Sequence, residues 1–167
     1  MNRNTGMYAG QVIGWMDGLQ VVGMDIAKSV FQLYTVDMLT GELQDKRLSR
    51  EKVLAFFSNR QPCVVAMEAC ASSHHWGRAI GELGHEVRLI PPAYVKPFVK
   101  RQKNDMADAE AIAEAASRPT MRFVAVKSEA QQAAAMAYRT RDLLVRQRTQ
   151  TINALRAHLA ELGIVAP

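Results

Sequence analysis

An α/β fold built on a mixed β-sheet is predicted by three observations in the 167-residue chain. Three β-rich runs follow one another between residues 21 and 48 with only turns between them. Two more apolar runs, at 63–67 and 87–90, each follow a stretch of helical character. The region 128–162 contains neither Pro nor Gly, as a long closing helix requires. Strands joined by tight turns pair antiparallel, whereas strands separated by a helix become parallel neighbours through a right-handed crossover.

Residues 1–20, with several glycines and no clear period, read as a loose leader. Val-Val-Gly-Met-Asp-Ile-Ala at 21–27 is a short apolar strand, and 31–36 is a second, separated from it by Lys28 and Ser29 in a way that suits a hairpin. A turn over 37–41 leads to 42–48, whose sparser apolar positions fit an edge strand. Ser49 can cap a short helix through Phe57, and Pro62 ends the linker that follows. The uninterrupted apolar run 63–67 fits a strand buried on both faces, and it delivers Glu68 at its end. Ser72 or Ser73 can cap a helix that runs to Leu83 and stops at Gly84. The fifth strand, 87–90, is closed by Pro91 and Pro92. Asn104 then caps a helix that begins at Asp105. The order βββαβαβα is that of the RNase H-like fold, in which an antiparallel hairpin sheet is continued by parallel strands with crossover helices. The first lobe of sugar kinases and actin-like ATPases opens with the same order, so function has to be argued from the site.

The closing helix is about 50 Å long at 1.5 Å per residue. Met136, Leu143, Leu144, Ile152, Leu155, Leu159 and Leu162 recur near helical spacing, interrupted by the polar stretch 146–151. Such a helix cannot bury both ends on a small domain, and is expected to pack against a second protomer or another domain in the manner of a coiled coil. The expected organisation is a leader over 1–20, an α/β domain over 21–126 and the long helix over 127–167.

An apolar fraction of 49% and a charged fraction of 22% are those of a globular protein and exclude a disordered or collagen-like chain. Of the net charge of +5, four units fall in residues 119–167, where seven Lys/Arg face three Asp/Glu. A local basic excess favours polyanionic partners through counterion release. Cys63 and Cys70 form no metal-ligand spacing, which implies a reducing, cytoplasmic setting. No apolar stretch approaches the roughly 20 residues of a membrane helix.

Four carboxylates carry the chemistry. Asp25 stands in an apolar strand, where an ionised side chain costs several kcal/mol unless it is paired or bound to metal. Glu68 also ends an apolar strand, and in the deduced order the first and fourth strands are neighbours, so both acids converge at one end of the sheet. Asp105 and Asp108, three apart, share one face at the start of a helix. That helix is slim, with alanine at 107, 109, 111, 113, 115 and 116, and can lie close on a sheet. Four carboxylates in one pocket cannot all stay ionised without a compensating cation, and Mg²⁺ or Mn²⁺ prefers such oxygen ligands. Two such ions are expected. They would suit phosphodiester cleavage or strand transfer.

At these residues the sequence resembles the DEDD transposases of bacterial insertion sequences, the family that includes the Piv-type DNA invertases and recombinases programmed by a bridge RNA. The resemblance runs through Val-Val-Gly-Met-Asp-Ile-Ala-Lys at 21–28, Met-Glu-Ala-Cys-Ala-Ser-Ser-His-His-Trp at 67–76 and Gly-His-Glu-Val-Arg-Leu-Ile-Pro-Pro at 84–92. It continues through Lys-Asn-Asp-Met-Ala-Asp-Ala-Glu-Ala-Ile-Ala at 103–113 into Leu-Leu-Val-Arg-Gln-Arg-Thr-Gln-Thr-Ile-Asn-Ala-Leu-Arg at 143–156. It implies a fold like that of the Holliday-junction resolvase RuvC and the acidic ligands Asp25, Glu68, Asp105 and Asp108. It further implies DNA as partner, a structured guide RNA in some members, and self-association through the long helix. Members of the family carry a C-terminal domain with a nucleophilic serine, and this sequence ends at Pro167 before any such domain.

The nucleic-acid contacts expected are Lys28, three residues after Asp25, and the basic run Lys96, Lys100, Arg101 and Lys103, with Tyr94 and Phe98 interleaved. Arg139, Arg146 and Arg148 on the long helix are expected to join them. His74 is a candidate general acid, although a packed or solvated histidine is the favoured reading, and Trp76 reads as core. Two alternatives to a recombinase domain are a stand-alone junction resolvase and an ATP-binding lobe. The latter lacks a second glycine-rich phosphate loop.

Overall fold

The computed structural model describes residues 20–99 and 105–166, with the side chain of Asp105 outside that description. The chain divides after Val126 into two compact units, one ending at Val126 and one spanning Lys127–Pro167.

The first unit is built on five strands: β1 (Gln20–Asp25), β2 (Val30–Asp37), β3 (Leu43–Ser49), β4 (Val64–Glu68) and β5 (Glu86–Ile90). They form one sheet in the order β3-β2-β1-β4-β5. The first three are antiparallel neighbours, while β1, β4 and β5 run parallel. This is the mixed sheet of the RNase H-like fold. Helices α1 (Val53–Ser58) and α2 (Ser73–Gly81) are the crossovers into and out of β4. After β5 come α3 (Pro92–Val95), a 3₁₀ turn over Lys96–Phe98, and α4 (Asp105–Ala116).

Period-two alternation splits the core into two layers. Val22, Met24, Phe31, Leu33, Val65, Met67 and Leu89 face α1 and α2, where Val53, Phe57, Trp76 and Ile80 close over them. Val21, Val36, Val64, Ala66 and Ile90 face the other way, onto Ala111, Ile112, Ala113, Ala115 and Ala116 of α4 and Val95 of α3. β1 and β4, at the centre, are buried on both faces, which is why their sequences read as continuous apolar runs. The edge strand β3 buries only Leu48.

Pro91 and Pro92 do not simply end β5. Pro92 opens α3, because its fixed φ is already helical and its missing amide would have had no partner in a first turn. The basic stretch that begins at Lys96 therefore starts as helical turns. Gly84 closes the α2 connection at φ +90°, a left-handed conformation that glycine adopts without a Cβ penalty.

The second unit is dominated by α5 (Glu129–Glu161), 33 residues with no buried residue. Ser128 accepts from the Gln131 amide, and the Gln131 side chain accepts from the Ser128 amide, a complete capping box. The apolar stripe stands in the open, with Met136 at 60%, Leu144 at 58% and Leu155 at 59% exposure.

Candidate active site

Asp25 is the last residue of β1 and Glu68 the last of β4. The parallel ladder pairs Met24 with Met67, so the two carboxylates stand one residue further on at neighbouring strand ends, about 4.8 Å apart in backbone spacing. Both are half-buried. Phase decides which way they face. Asp25 alternates with Gly23 and Val21, and Glu68 with Ala66 and Val64, which line the α4 side of the sheet.

On that side α4 lies unusually close. A Cβ built on Gly23 would come within 2.2 Å of the Ala109 carbonyl oxygen, 2.7 Å of the Ala113 nitrogen and 2.9 Å of its Cβ. Only a glycine on the strand and alanines on the helix permit this approach. Asp108 immediately precedes Ala109, and it is half-buried. Asp105 is the first residue of α4. The acids at the start of this helix are thus carried on an element pressed against the strand that carries Asp25.

Among the described residues, no three His, Cys, Asp or Glu side chains gather closely enough to hold an ion, a description that leaves out the Asp105 carboxylate. By donor chemistry, Asp25, Glu68 and Asp108 supply oxygen alone, in half-buried positions, which suits a hard divalent cation rather than a thiophilic one.

Lys28 is exposed in the β1–β2 turn, at the same end of the sheet as Asp25. Lys96 is exposed at the start of the 3₁₀ turn after α3, whereas Lys100, Arg101 and Lys103 lie outside the described residues. Phe98 is covered by the Arg118 guanidinium, 5.3 Å from its ring centre, while Tyr94 is 46% exposed. Arg139, Arg146 and Arg148 are exposed on α5. His74 is half-buried in the first turn of α2. Trp76 is core, edge-on to Phe31 at 4.9 Å with the Arg50 guanidinium over its ring.

Two polar residues on the α4 side carry no signal of their own in the sequence. Gln32, 5% exposed, stands directly opposite Asp25 in the β1–β2 ladder and donates to Asp45 Oδ1. Arg88, also 5% exposed, donates to Glu86 Oε1 at 2.6 Å and to the Ala116 carbonyl, and stacks on Phe123. Arg88 thereby ties β5 to the C-terminal end of α4. Their alternation with Tyr34 and with Ile90 was the available clue to the face they share.

At the opposite end of the sheet, buried His85 receives the Cys63 amide at Nδ1, and its Nε2 lies 2.9 Å from the Phe57 carbonyl. Burial pushes the neighbouring Cys63 thiol up, with the Arg60 charge partly opposing it. This cluster joins α1, β4 and β5 far from the carboxylates.

A central parallel pair thus delivers two acids beside a tightly docked helix, and comparison with known proteins gives the family. Residues 22–164 match the IS110-type DEDD family, described as transposase, and the chain belongs to that family. It is 52% identical over 145 residues to a putative transposase of Sinorhizobium fredii, covering 87% of this chain and 38% of that protein. It is 51% identical over 148 residues to a probable family 20 transposase of Pseudomonas aeruginosa, covering 89% and 44%. To the transposase for insertion sequence element IS1328 of Yersinia enterocolitica it is 45% identical over 152 residues, covering 91% and 46%. The chain thus spans less than half the length of these relatives. Among solved structures it is similar to Thermus thermophilus RuvC in complex with a Holliday junction substrate, at 17% identity and a TM-score of 0.45 over 64% of this chain and 99% of that one.

Proposed function

We propose that this chain is the N-terminal catalytic part of a DNA transposase, acting in metal-dependent phosphodiester cleavage and strand transfer. The observation that carries the reading is the placement of Asp25 and Glu68 on adjacent parallel strand ends, on the face where α4 approaches Gly23 to within backbone contact. Family membership supports the same reading.

Asp25, Glu68, Asp105 and Asp108 would together hold divalent cations, Mg²⁺ or Mn²⁺, two of them in the full site. Bound there, such ions supply Lewis acidity to a phosphodiester and lower the pKa of a coordinated hydroxyl or water. The protein's own part is to hold carboxylate oxygens rigidly. Asp25 and Glu68 are fixed by a central ladder, and Asp108 by a helix whose alanines leave it no room to rock. Lys28 and Lys96 lie at this end of the sheet or just beyond β5, and would meet backbone phosphates together with Lys100, Arg101 and Lys103. Arg139, Arg146 and Arg148 would add contacts from α5, and the exposed apolar stripe of that helix would join a second copy. The working partners are therefore DNA and, in keeping with the family resemblance, a structured guide RNA. The setting is the bacterial cytoplasm, and no helix among the described residues is long and apolar enough to cross a membrane.

Isothermal titration with Mg²⁺ and with Mn²⁺ tests the site. Heat of binding is expected for the unsubstituted chain and is expected to disappear in Asp25→Ala, with folding checked by circular dichroism. An identical isotherm in a folded Asp25→Ala protein refutes the proposal.

A further inference from the structure

The ladder extends beyond the two carboxylates. Asp25 pairs with Gln32 of β2, and Gln32 pairs with Arg47 of β3, so Arg47, Gln32 and Asp25 form one cross-strand row, with Glu68 beside Asp25. Residues directly opposite in antiparallel strands share a face. Gln32 alternates with Tyr34 and Val36, which pack on the α4 side, and Leu48 next to Arg47 is buried on the other. Arg47 therefore stands on the same face as Asp25. Two strand spacings separate them, about 10 Å.

Arg47 is exposed and makes no ion pair or hydrogen bond among the described residues. Its nearest same-face acid is Asp45, two residues away on β3, and that carboxylate accepts from Gln32 Nε2. The other cations of this strand end are differently placed. Lys46 sits over Phe56 and Arg50 over Trp76, both on the far face. Lys28, exposed in the turn between β1 and β2, is the remaining cation on this flank with no partner among the described residues.

A phosphodiester strand lying against Asp25 and Glu68 meets negative charge there, and needs compensating cations to either side. We infer that Arg47 is a phosphate contact for duplex DNA, placed to grip the backbone to one side of the bond held at Asp25 and Glu68. The one neighbouring same-face carboxylate, Asp45, accepts from Gln32 and forms no ion pair with Arg47 among the described residues. Arg47 and Lys28 would thus extend the binding track across the hairpin, on the side of the carboxylates away from β5. The assignment rests on the nucleic-acid reading of the carboxylate site.

The test is fluorescence anisotropy of the whole chain with a short labelled DNA duplex across a series of salt concentrations. Removing one phosphate contact lowers the slope of log K against log salt by about 0.9. Arg47→Gln is expected to weaken binding several-fold and to reduce the slope by that amount, while Arg47→Lys restores the slope. Arg118→Gln, whose guanidinium is held by Glu114, is expected to leave both unchanged. An Arg47→Gln chain with native affinity and slope, while the unsubstituted chain binds duplex, overturns the assignment and leaves the carboxylate site standing. Loss confined to a structured RNA also overturns it. Failure of the unsubstituted chain to bind DNA at all overturns the nucleic-acid reading itself.

Discussion

Gly23→Ala is the sharpest probe of the site's construction. The added methyl would stand 2.2 Å from the Ala109 carbonyl oxygen and 2.7 Å from the Ala113 nitrogen, against roughly 3.5 Å for an ordinary contact. Both obstacles are backbone of a regular helix, so no side chain can rotate away, and α4 has to move bodily by about 1 Å. Overpacking of a closed core costs typically 1–3 kcal/mol. The backbone nature of this clash puts the expected loss at the top of that range, about 3 kcal/mol. At roughly 2–4 °C per kcal/mol this lowers the unfolding midpoint by about 6–12 °C. Asp108, next to Ala109, moves with the helix, so cation binding at the proposed site is expected to weaken as well. Thermal unfolding and Mn²⁺ titration of the same preparation measure both effects. Gly81→Ala is the control. It meets nothing within 4 Å at the end of α2, and should stabilise by up to about 1 kcal/mol. A Gly23→Ala protein with the native midpoint and native metal binding refutes the docking of α4 on β1.

Two further outcomes follow from the local geometry. Asp37 accepts from the amides of Thr40 and Leu39 and from Gln20 Nε2, led by the Thr40 bond, and these hold its carboxyl below the ordinary 3.8. Its charge therefore contributes to stability above that value, and the contribution is lost as pH falls through the depressed pKa. In denaturant melts, Asp37→Asn should be the less stable protein near pH 7 and the gap should narrow as the pH falls below 3.8; a gap constant with pH contradicts the assignment. Ser128→Ala removes one half of the capping box and should cost about 1 kcal/mol, read as earlier loss of the α5 helical signal on heating.

The strands were legible because burial imposes period two on hairpins and continuous apolar runs on the central parallel pair, and β1 and β4 show these signatures plainly. The ends of β1 and β4 were legible for a related reason: Asp25 and Glu68 are the first ionisable residues after each apolar run, where an ionised group can be tolerated. The alanine pattern of α4 marked a helix able to lie close on a sheet, and Gly23 was present in the β1 run. Their direct encounter depends on tertiary register that neither segment contains. The turn between β1 and β2 could be placed, but pairing Asp25 with Gln32 and then with Arg47 requires strand alignment to the single residue. A slip of one would send all three to the other face. Pro91 and Pro92 marked the end of β5 correctly, but not the short helix that Pro92 begins, since the residue that ends a strand is also suited to begin a helix.

The two margins of the sheet are treated differently. Along β5 the Val124 amide donates to the Leu89 carbonyl at 2.7 Å, so the chain caps its own rim there. β3 carries no such cover among the described residues and offers a row of open amides and carbonyls. Strand addition at β3 would join two copies back to back, while the Val124 bridge on Leu89 stands against a further strand at the β5 rim. Asp45, Lys46 and Arg47, standing in succession along it, discourage even that single union. One border of the sheet is thus partly occupied by the chain itself, and the other is guarded by charge.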